Sequence, residues 1–195
     1  MIAGIILAAG ASSRMGSPKA LLDYRRETFV GRLVRVLSGA CDPVIVALGY
    51  HAETIRPAIP ENAAVVINPA PERGQLSSLQ TALAALPREA EGFAFIPVDS
   101  PAVEPSTVER LCDAFQHRGP ETLFVIPRSH GKRGHPVFAT RAIAEELLAL
   151  PPTGKASDVV HRHIPLTGYV DVHDPGILVD IDDPAAYRQF TEVKP

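Results

Sequence analysis

The sequence predicts an α/β protein built on a mainly parallel sheet with helices on both faces. Three observations carry this. Short apolar runs alternate with segments of helical spacing along the whole chain. Several of those runs are apolar without polar alternation, which expects burial on both faces of the sheet. The chain has 195 residues, room for one domain with a substantial core, and shows no linker, repeat or low-complexity segment, so residues 1–195 are expected to form a single domain.

The elements follow in order. "IAGIIL" (2–7) reads as a strand, and Phe29, Leu33, Val36 and Leu37 lie at helical spacing. "PVIVALG" (43–49) and "AAVVIN" (63–68) are strands. Leu79, Ala82, Leu83 and Leu86 share one helix face. "FAFIPV" (93–98) is a strand, and Ser106 with Glu109 makes a capping-box pattern that would open the next helix. "TLFVI" (122–126) and "PVFA" (136–139) are strands; Ile143, Leu147 and Leu150 mark a helix. "GILVDI" (176–181) reads as a late strand, and "DPAAYRQF" as a short terminal helix with Asp183 as N-cap and Pro184 in its first turn.

Composition removes several functions. The chain is 46% hydrophobic and 21% charged with net charge −3, so it lacks the basic excess of a nucleic-acid binder. "MIAGIILAAGA" has no Lys or Arg ahead of it and is too short to span a bilayer. No membrane partner is expected, and the expected location is cytoplasmic. Cys41 and Cys112 are far apart and read as free thiols. The 19 prolines sit mostly at element boundaries, as turn punctuation.

Sites in open parallel sheets lie beyond the carboxyl ends of the strands. This directs attention first to "LAAGASSRMGSPK" (7–19). Five residues separate Gly10 from Gly16 and Lys19 comes three later, so this is no Walker A loop; without a G-x-G it is no dinucleotide fingerprint either. An anion still suits it. Ala8, Ala9, Gly10, Ala11, Ser12 and Ser13 have little bulk, so backbone N–H groups can approach phosphate oxygens. Arg14 can grip two oxygens and Lys19 supplies a point charge. A plain strand-to-helix turn with two solvated cations is the simpler alternative.

Asp99 in "VDSPAV" follows a strand and can hold Mg²⁺ or cap a turn. In "DIDDP" (180–184), Asp180 and Asp182 are read as facing apart, leaving one of them to join Asp99. Ser77 and Ser78 open a helix, a place that suits a base edge or ribose hydroxyl as well as simple capping. "RSHGKRGHPVF" (128–138) could seat a second, anionic substrate or be a mobile basic loop. His161 and His163, with no carboxylate partner in view, read as surface residues, and no nucleophile elbow is present.

Together these pieces resemble the MobA-like nucleotidyltransferases, and most closely their molybdenum cofactor cytidylyltransferase (MocA-type) branch. "LAAGASSRMGSPKALL", "RGQLSSLQTAL", "PVDSP", "GKRGHPVF" and "DIDDPAAY" match five family segments in order. The resemblance implies a Rossmann-like, GT-A-type sheet. It implies that Leu7, Ala8, Ala9, Gly10, Ser12, Ser13, Arg14 and Lys19 hold a nucleoside triphosphate, with Ser77 and Ser78 near base and ribose. Asp99 and Asp182 would bind Mg²⁺ (or Mn²⁺), and Arg14, Lys19 and Asp99 would carry the chemistry. Arg133, Gly134, His135 and Pro136 would line the acceptor side. Ala9 matches the cytidine pattern, where glycine goes with guanosine. Asp183 and Ala185–Ala186 depart from the family's closing segment.

The implied reaction is transfer of a nucleoside monophosphate, CMP first, from its triphosphate to a phosphorylated acceptor such as molybdopterin, with release of pyrophosphate. A molybdoenzyme or chaperone would be the downstream partner. Guanylyl transfer, transfer to a sugar or alcohol phosphate, and a non-catalytic role in binding and delivering the cofactor remain as alternatives.

Overall fold

The computed structural model describes residues 1–192. In chain order its elements are β1 (Ile2–Ala8), β2 (Asp23–Tyr24), β3 (Glu27–Thr28), α1 (Phe29–Ser38), β4 (Val44–Leu48), α2 (Ala52–Ile55), β5 (Ala63–Ile67), α3 (Gln75–Leu83) and β6 (Gly92–Pro97), followed by α4 (Pro105–Gln116), β7 (Phe124–Ser129), β8 (Lys132–Arg133), β9 (Val137–Thr140), α5 (Arg141–Leu148), α6 (Ala156–Arg162), β10 (Thr167–Asp171) and α7 (Pro184–Glu192). One sheet runs β10-β7-β9-β6-β1-β4-β5, with β8 hooked onto β7; β2 and β3 form a separate hairpin. β5, β4, β1 and β6 are mutually parallel, and β10 is parallel to β7. β9 runs against both β6 and β7. The expected mainly parallel, Rossmann-like sheet is therefore present, with β8 and β9 reversed.

β1 shows why both faces must be covered. All seven of its residues are buried. Ile2, Ile6 and Ala8 pack with α1 and α4 on one face, while Ile5 and Leu7 pack with α3, α5 and α6 on the other. The parallel register sets Ala8 beside Leu48, Leu7 beside Pro97, and Leu48 beside Ile67. The segments that leave β1, β4, β5 and β6 thus emerge at one edge.

Three sequence expectations are corrected. "GILVDI" is not a strand. Pro175–Leu178 is a 3-10 turn, and Ile177 and Ile181 are apolar because each plugs the core beneath an irregular segment. The edge position goes to β10, which the periodicity missed; its first four residues are half-buried, Asp171 is exposed, and only Tyr169 and Val170 are bulky and apolar. The capping box also fails. Glu104 is the N-cap residue and Pro105 the first helical one, which leaves Ser106 too far in to cap. Asp174 does the work from a distant loop, accepting from Glu104 N at 3.0 Å and Thr107 Oγ1 at 2.7 Å. Third, His163 has a carboxylate partner after all. Its Nε2 lies 2.7 Å from Glu146 Oε2, because α5 and α6 pack together. The Asp183 cap is as expected, with Ala185 N and Ala186 N both 2.9 Å from its Oδ1.

Asp174 also accepts from Gly176 N at 2.8 Å, and only 7% of it is exposed. Asp174→Ala would strand three donors, and unmet buried donors are expensive. The expected loss is about 2–4 kcal/mol in denaturant unfolding, with Asp174→Asn retaining part of it.

Candidate active site

The edge where the strands end holds a cavity of about 250 Å³. Its first wall is the loop after β1. Val98 N donates to Leu7 O (3.0 Å) and Tyr50 N to Ala9 O (3.2 Å), which tie the loop to the ends of β6 and β4. Gly49 permits that approach. A Cβ there would sit 2.7 Å from Pro71 Cβ and 2.9 Å from Ala9 Cβ. The loop then curls through two left-handed residues, Ser12 (φ 51°) and Gly16 (φ 76°). Met15 N and Gly16 N donate to Ser12 O, and Lys19 N donates to Ser12 Oγ at 3.1 Å. Buried Met15 anchors the curl in the core. Among the described residues, the backbone N–H groups of Ala11 to Arg14 have no protein acceptor. Unpaired N–H groups beside cations make a seat for an anion.

The second wall is acidic. Asp99 lies two residues beyond β6, and Ile181 N donates to its carbonyl at 2.9 Å, pinning the Asp180–Asp182 segment against it. Buried Arg32 of α1 fixes the turn that follows, donating to Pro101 O at 2.8 Å and Val103 O at 3.2 Å. One oxygen each of Asp99, Asp180 and Asp182 fall within 4.8 Å of one another. The expectation that Asp180 and Asp182 face apart is thereby corrected: positions two apart on an extended backbone share a face, and the irregular segment that carries both is held against Asp99 by the Ile181 bond.

Cations close the cluster. Lys19 Nζ lies 2.9 Å from Asp99 Oδ2 and 2.7 Å from Asp182 Oδ1, and Arg14 Nη2 reaches the same Asp182 oxygen at 3.1 Å. Lys19 is 11% exposed as a side chain, Arg14 68%. Burial pulls the Lys19 ammonium down, but its hydrogen bonds to Asp182 and Asp99 outweigh this and leave its pKa raised. The Lys19 hydrogen bond holds Asp182 low. Asp180 is pushed up, first by burial and then by Asp99 and Asp182 beside it. Three carboxylates crowded this closely could hold a hard divalent cation, which takes oxygen ligands and substrate phosphates together.

The third wall is the start of α3. Ser78 lines the cavity with Gly74 and Gln75, which sequence reasoning passed over. Ser77 faces elsewhere. Its hydroxyl donates to Gly74 O at 2.8 Å and accepts from Asn68 Nδ2, also at 2.8 Å. Asn68, at the end of β5, also reaches Ser78 Oγ at 3.0 Å and receives Ala70 N at 2.9 Å, so it sets the whole turn. Leu7, Ala8, Ala9, Gly10, Ser12, Ser13, Arg14, Lys19, Asp99 and Asp182 all line the cavity.

Arg133, Gly134, His135 and Pro136 do not line it. Gly134 is pressed against Ile177, where a Cβ would collide with the carbonyl. The His135 ring lies edge-on to Phe95, with centroids 6.1 Å apart. Burial lowers the His135 pKa against the opposing pull of Asp99. Phe95 lines a second cavity of about 360 Å³ that shares Leu7 and Gln75 with the first and carries Arg73 and Lys155. Both cysteines are free and buried; burial pushes the Cys41 thiol up to about 12, away from chemistry.

A mainly parallel sheet with a small-residue loop, two cations and a carboxylate cluster at its carboxyl edge fits a nucleotidyltransferase, the class that the family match gives. The chain belongs to the MobA-like NTP transferase domain family, whose model matches residues 4–166. The molybdenum cofactor cytidylyltransferase of Escherichia coli is 25% identical over 97% of both chains. A probable molybdenum cofactor guanylyltransferase of Bacillus cereus is 32% identical over 80% of this chain and 77% of its own. A nicotine blue oxidoreductase of Paenarthrobacter nicotinovorans is 29% identical over 93% and 92%. Among solved structures, Rv0371c of Mycobacterium tuberculosis superposes with a TM-score of 0.85 at 34% identity, covering 98% of this chain and 97% of its own. A manganese complex of that protein matches at 30% identity and a TM-score of 0.79, covering 99% of each chain. Among the described residues, no helix is long and apolar enough to cross a membrane.

Proposed function

We propose that this chain transfers a nucleoside monophosphate, CMP first, from its triphosphate to a phosphorylated acceptor of the molybdopterin type in the cytosol, releasing pyrophosphate. One observation carries the reading: Asp99, Asp180 and Asp182 converge opposite the Ala8–Arg14 loop, with Arg14 and Lys19 between them. An acceptor phosphate is already ionised, so the transfer needs placement and charge neutralisation more than a strong base. The residue inventory suits this. The loop amides and Arg14 hold and orient the triphosphate. Lys19 meets the charge that builds on the departing pyrophosphate. Asp99 and Asp182, with Asp180 beside them, would hold Mg²⁺ or Mn²⁺, which supplies Lewis-acid neutralisation of the phosphate oxygens. The manganese complex of a structural relative supports a divalent ion here.

The second cavity is our candidate seat for the acceptor. It adjoins the first, offers Arg73 and Lys155 to an anion, and has Phe95 to pack on a flat ring. His135 borders Phe95, which keeps the Arg133–Pro136 segment near that seat without placing it in the nucleotide cavity.

Ala9 supports cytidine. It lines the first cavity and stands where the family resemblance has alanine with cytidine and glycine with guanosine. Ala9→Gly is expected to shift a CTP-against-GTP competition toward GTP by about tenfold, the worth of a small apolar group in a pocket. Guanylyl transfer is the second reading, favoured by the guanylyltransferase relatives. CTP, GTP, ATP and UTP tested with a molybdopterin-type acceptor, and scored by pyrophosphate release, separate the two. Release with CTP foremost supports the proposal. Nucleotide binding without release under any pairing would instead mean a binding and delivery protein.

A further inference from the structure

Lys19 Nζ sits inside the carboxylate cluster rather than beside it. It is within hydrogen-bond distance of Asp99 Oδ2 and Asp182 Oδ1, two of the three groups that would hold a divalent ion. A hard cation such as Mg²⁺ draws its oxygen ligands to about 2.0–2.1 Å. An ion that took these two oxygens would sit against the ammonium bonded to them at 2.7 and 2.9 Å, and like charges that close oppose one another. Lys19 is also tethered at its base, since its backbone N–H is bonded to Ser12 Oγ in the loop that faces the triphosphate. A side chain leaving the carboxylates therefore has one anionic destination nearby, the phosphates on that loop.

We infer that Lys19 is an internal stand-in for the metal: in the nucleotide-free protein its ammonium fills the Asp99–Asp182 site and opposes the divalent ion, and the triphosphate draws it out. The inference rests on the metal role proposed above for these carboxylates. It goes further in making metal affinity depend on where one lysine points. Arg14 acts in the same sense but more weakly, because it touches Asp182 alone and is largely exposed. The linkage is one of populations. If the carboxylates are free of Lys19 one part in ten to one part in a hundred, metal affinity without nucleotide falls by about 10- to 100-fold.

The probe is Mn²⁺ alone, followed by electron paramagnetic resonance or calorimetry on the full chain without nucleotide. Lys19→Met is expected to bind Mn²⁺ about 10-fold more tightly or better than the natural protein. Arg14→Ala is expected to gain only a few-fold. An unchanged or weakened affinity in Lys19→Met would overturn the inference, because a lysine that only contacts phosphate cannot affect metal binding in its absence. Crystals of the natural protein soaked in Mn²⁺ test it without any substitution. The expected anomalous peak lies between Asp99 and Asp182, with Nζ withdrawn from both. A peak there with the Lys19 bonds intact overturns the exchange alone. No Mn²⁺ at these carboxylates, even with CTP present, overturns the metal role as well.

Discussion

Asp99→Asn is expected to lower turnover with CTP and Mg²⁺ by three orders of magnitude or more while leaving the protein folded. The substitution keeps the shape of the side chain and removes its charge. Asp99 is the hinge of the cluster: its side chain meets Lys19, and its carbonyl receives Ile181 N, which carries Asp180 and Asp182 into place. The backbone bond survives in the variant, so the acidic segment stays put. What is lost is one of the charges that would hold the ion, together with the neutralisation the ion supplies. Removing one preorganised electrostatic contact already costs about 10²–10³ in rate, and loss of a metal ligand removes more. Steady-state kinetics with pyrophosphate detection, beside a thermal melt, check this. Turnover near that of the natural protein would remove Asp99 from the chemistry.

Arg14→Ala is the second large effect, an expected fall of about 10²–10³ in kcat/KM with little change in melting temperature. Its stability contribution is small because its one ion pair, to Asp182, is exposed, and exposed pairs contribute about 0–1 kcal/mol. Its expected catalytic contribution is large because a guanidinium can grip two phosphate oxygens at once. Arg14→Lys is expected to recover only part, since an ammonium keeps the charge and loses the fork. Kinetics and calorimetric melting on the same samples separate the two roles. A loss of activity that tracks a loss of stability would mean that Arg14 only holds the loop.

Much of this site was legible in the residues because chemistry and topology agree there. The apolar run of β1 followed by small residues marks a buried strand that releases a loop at the sheet edge, and the loop after β6 places Asp99 at the same edge for the same reason. What escaped depends on contacts between distant parts of the chain. Asp180 and Asp182, two apart and so able to share a side, join the cluster because one backbone bond, Ile181 N to Asp99 O, holds their irregular segment against the end of β6, a contact across some eighty residues that local sequence does not show. Asn68 orders the start of α3 through its amide, which reaches both Ser77 and Ser78, and of the two only Ser78 lines the cavity. Arg32, which the helical spacing of Phe29, Leu33, Val36 and Leu37 left out, is buried and holds the turn after Asp99. Asp174 replaced the local capping box across some seventy residues. β10 was missed because an edge strand need not be apolar.

The most direct measurement follows the label from CTP carrying a radioactive α-phosphate through one turnover with a molybdopterin-type acceptor and Mg²⁺. The label is expected to move onto the acceptor, one CMP per molecule, while pyrophosphate leaves unlabelled. Label that stays in CDP while the γ-phosphate is released or transferred, or CTP that is bound and returned intact, would contradict nucleotidyl transfer by this chain.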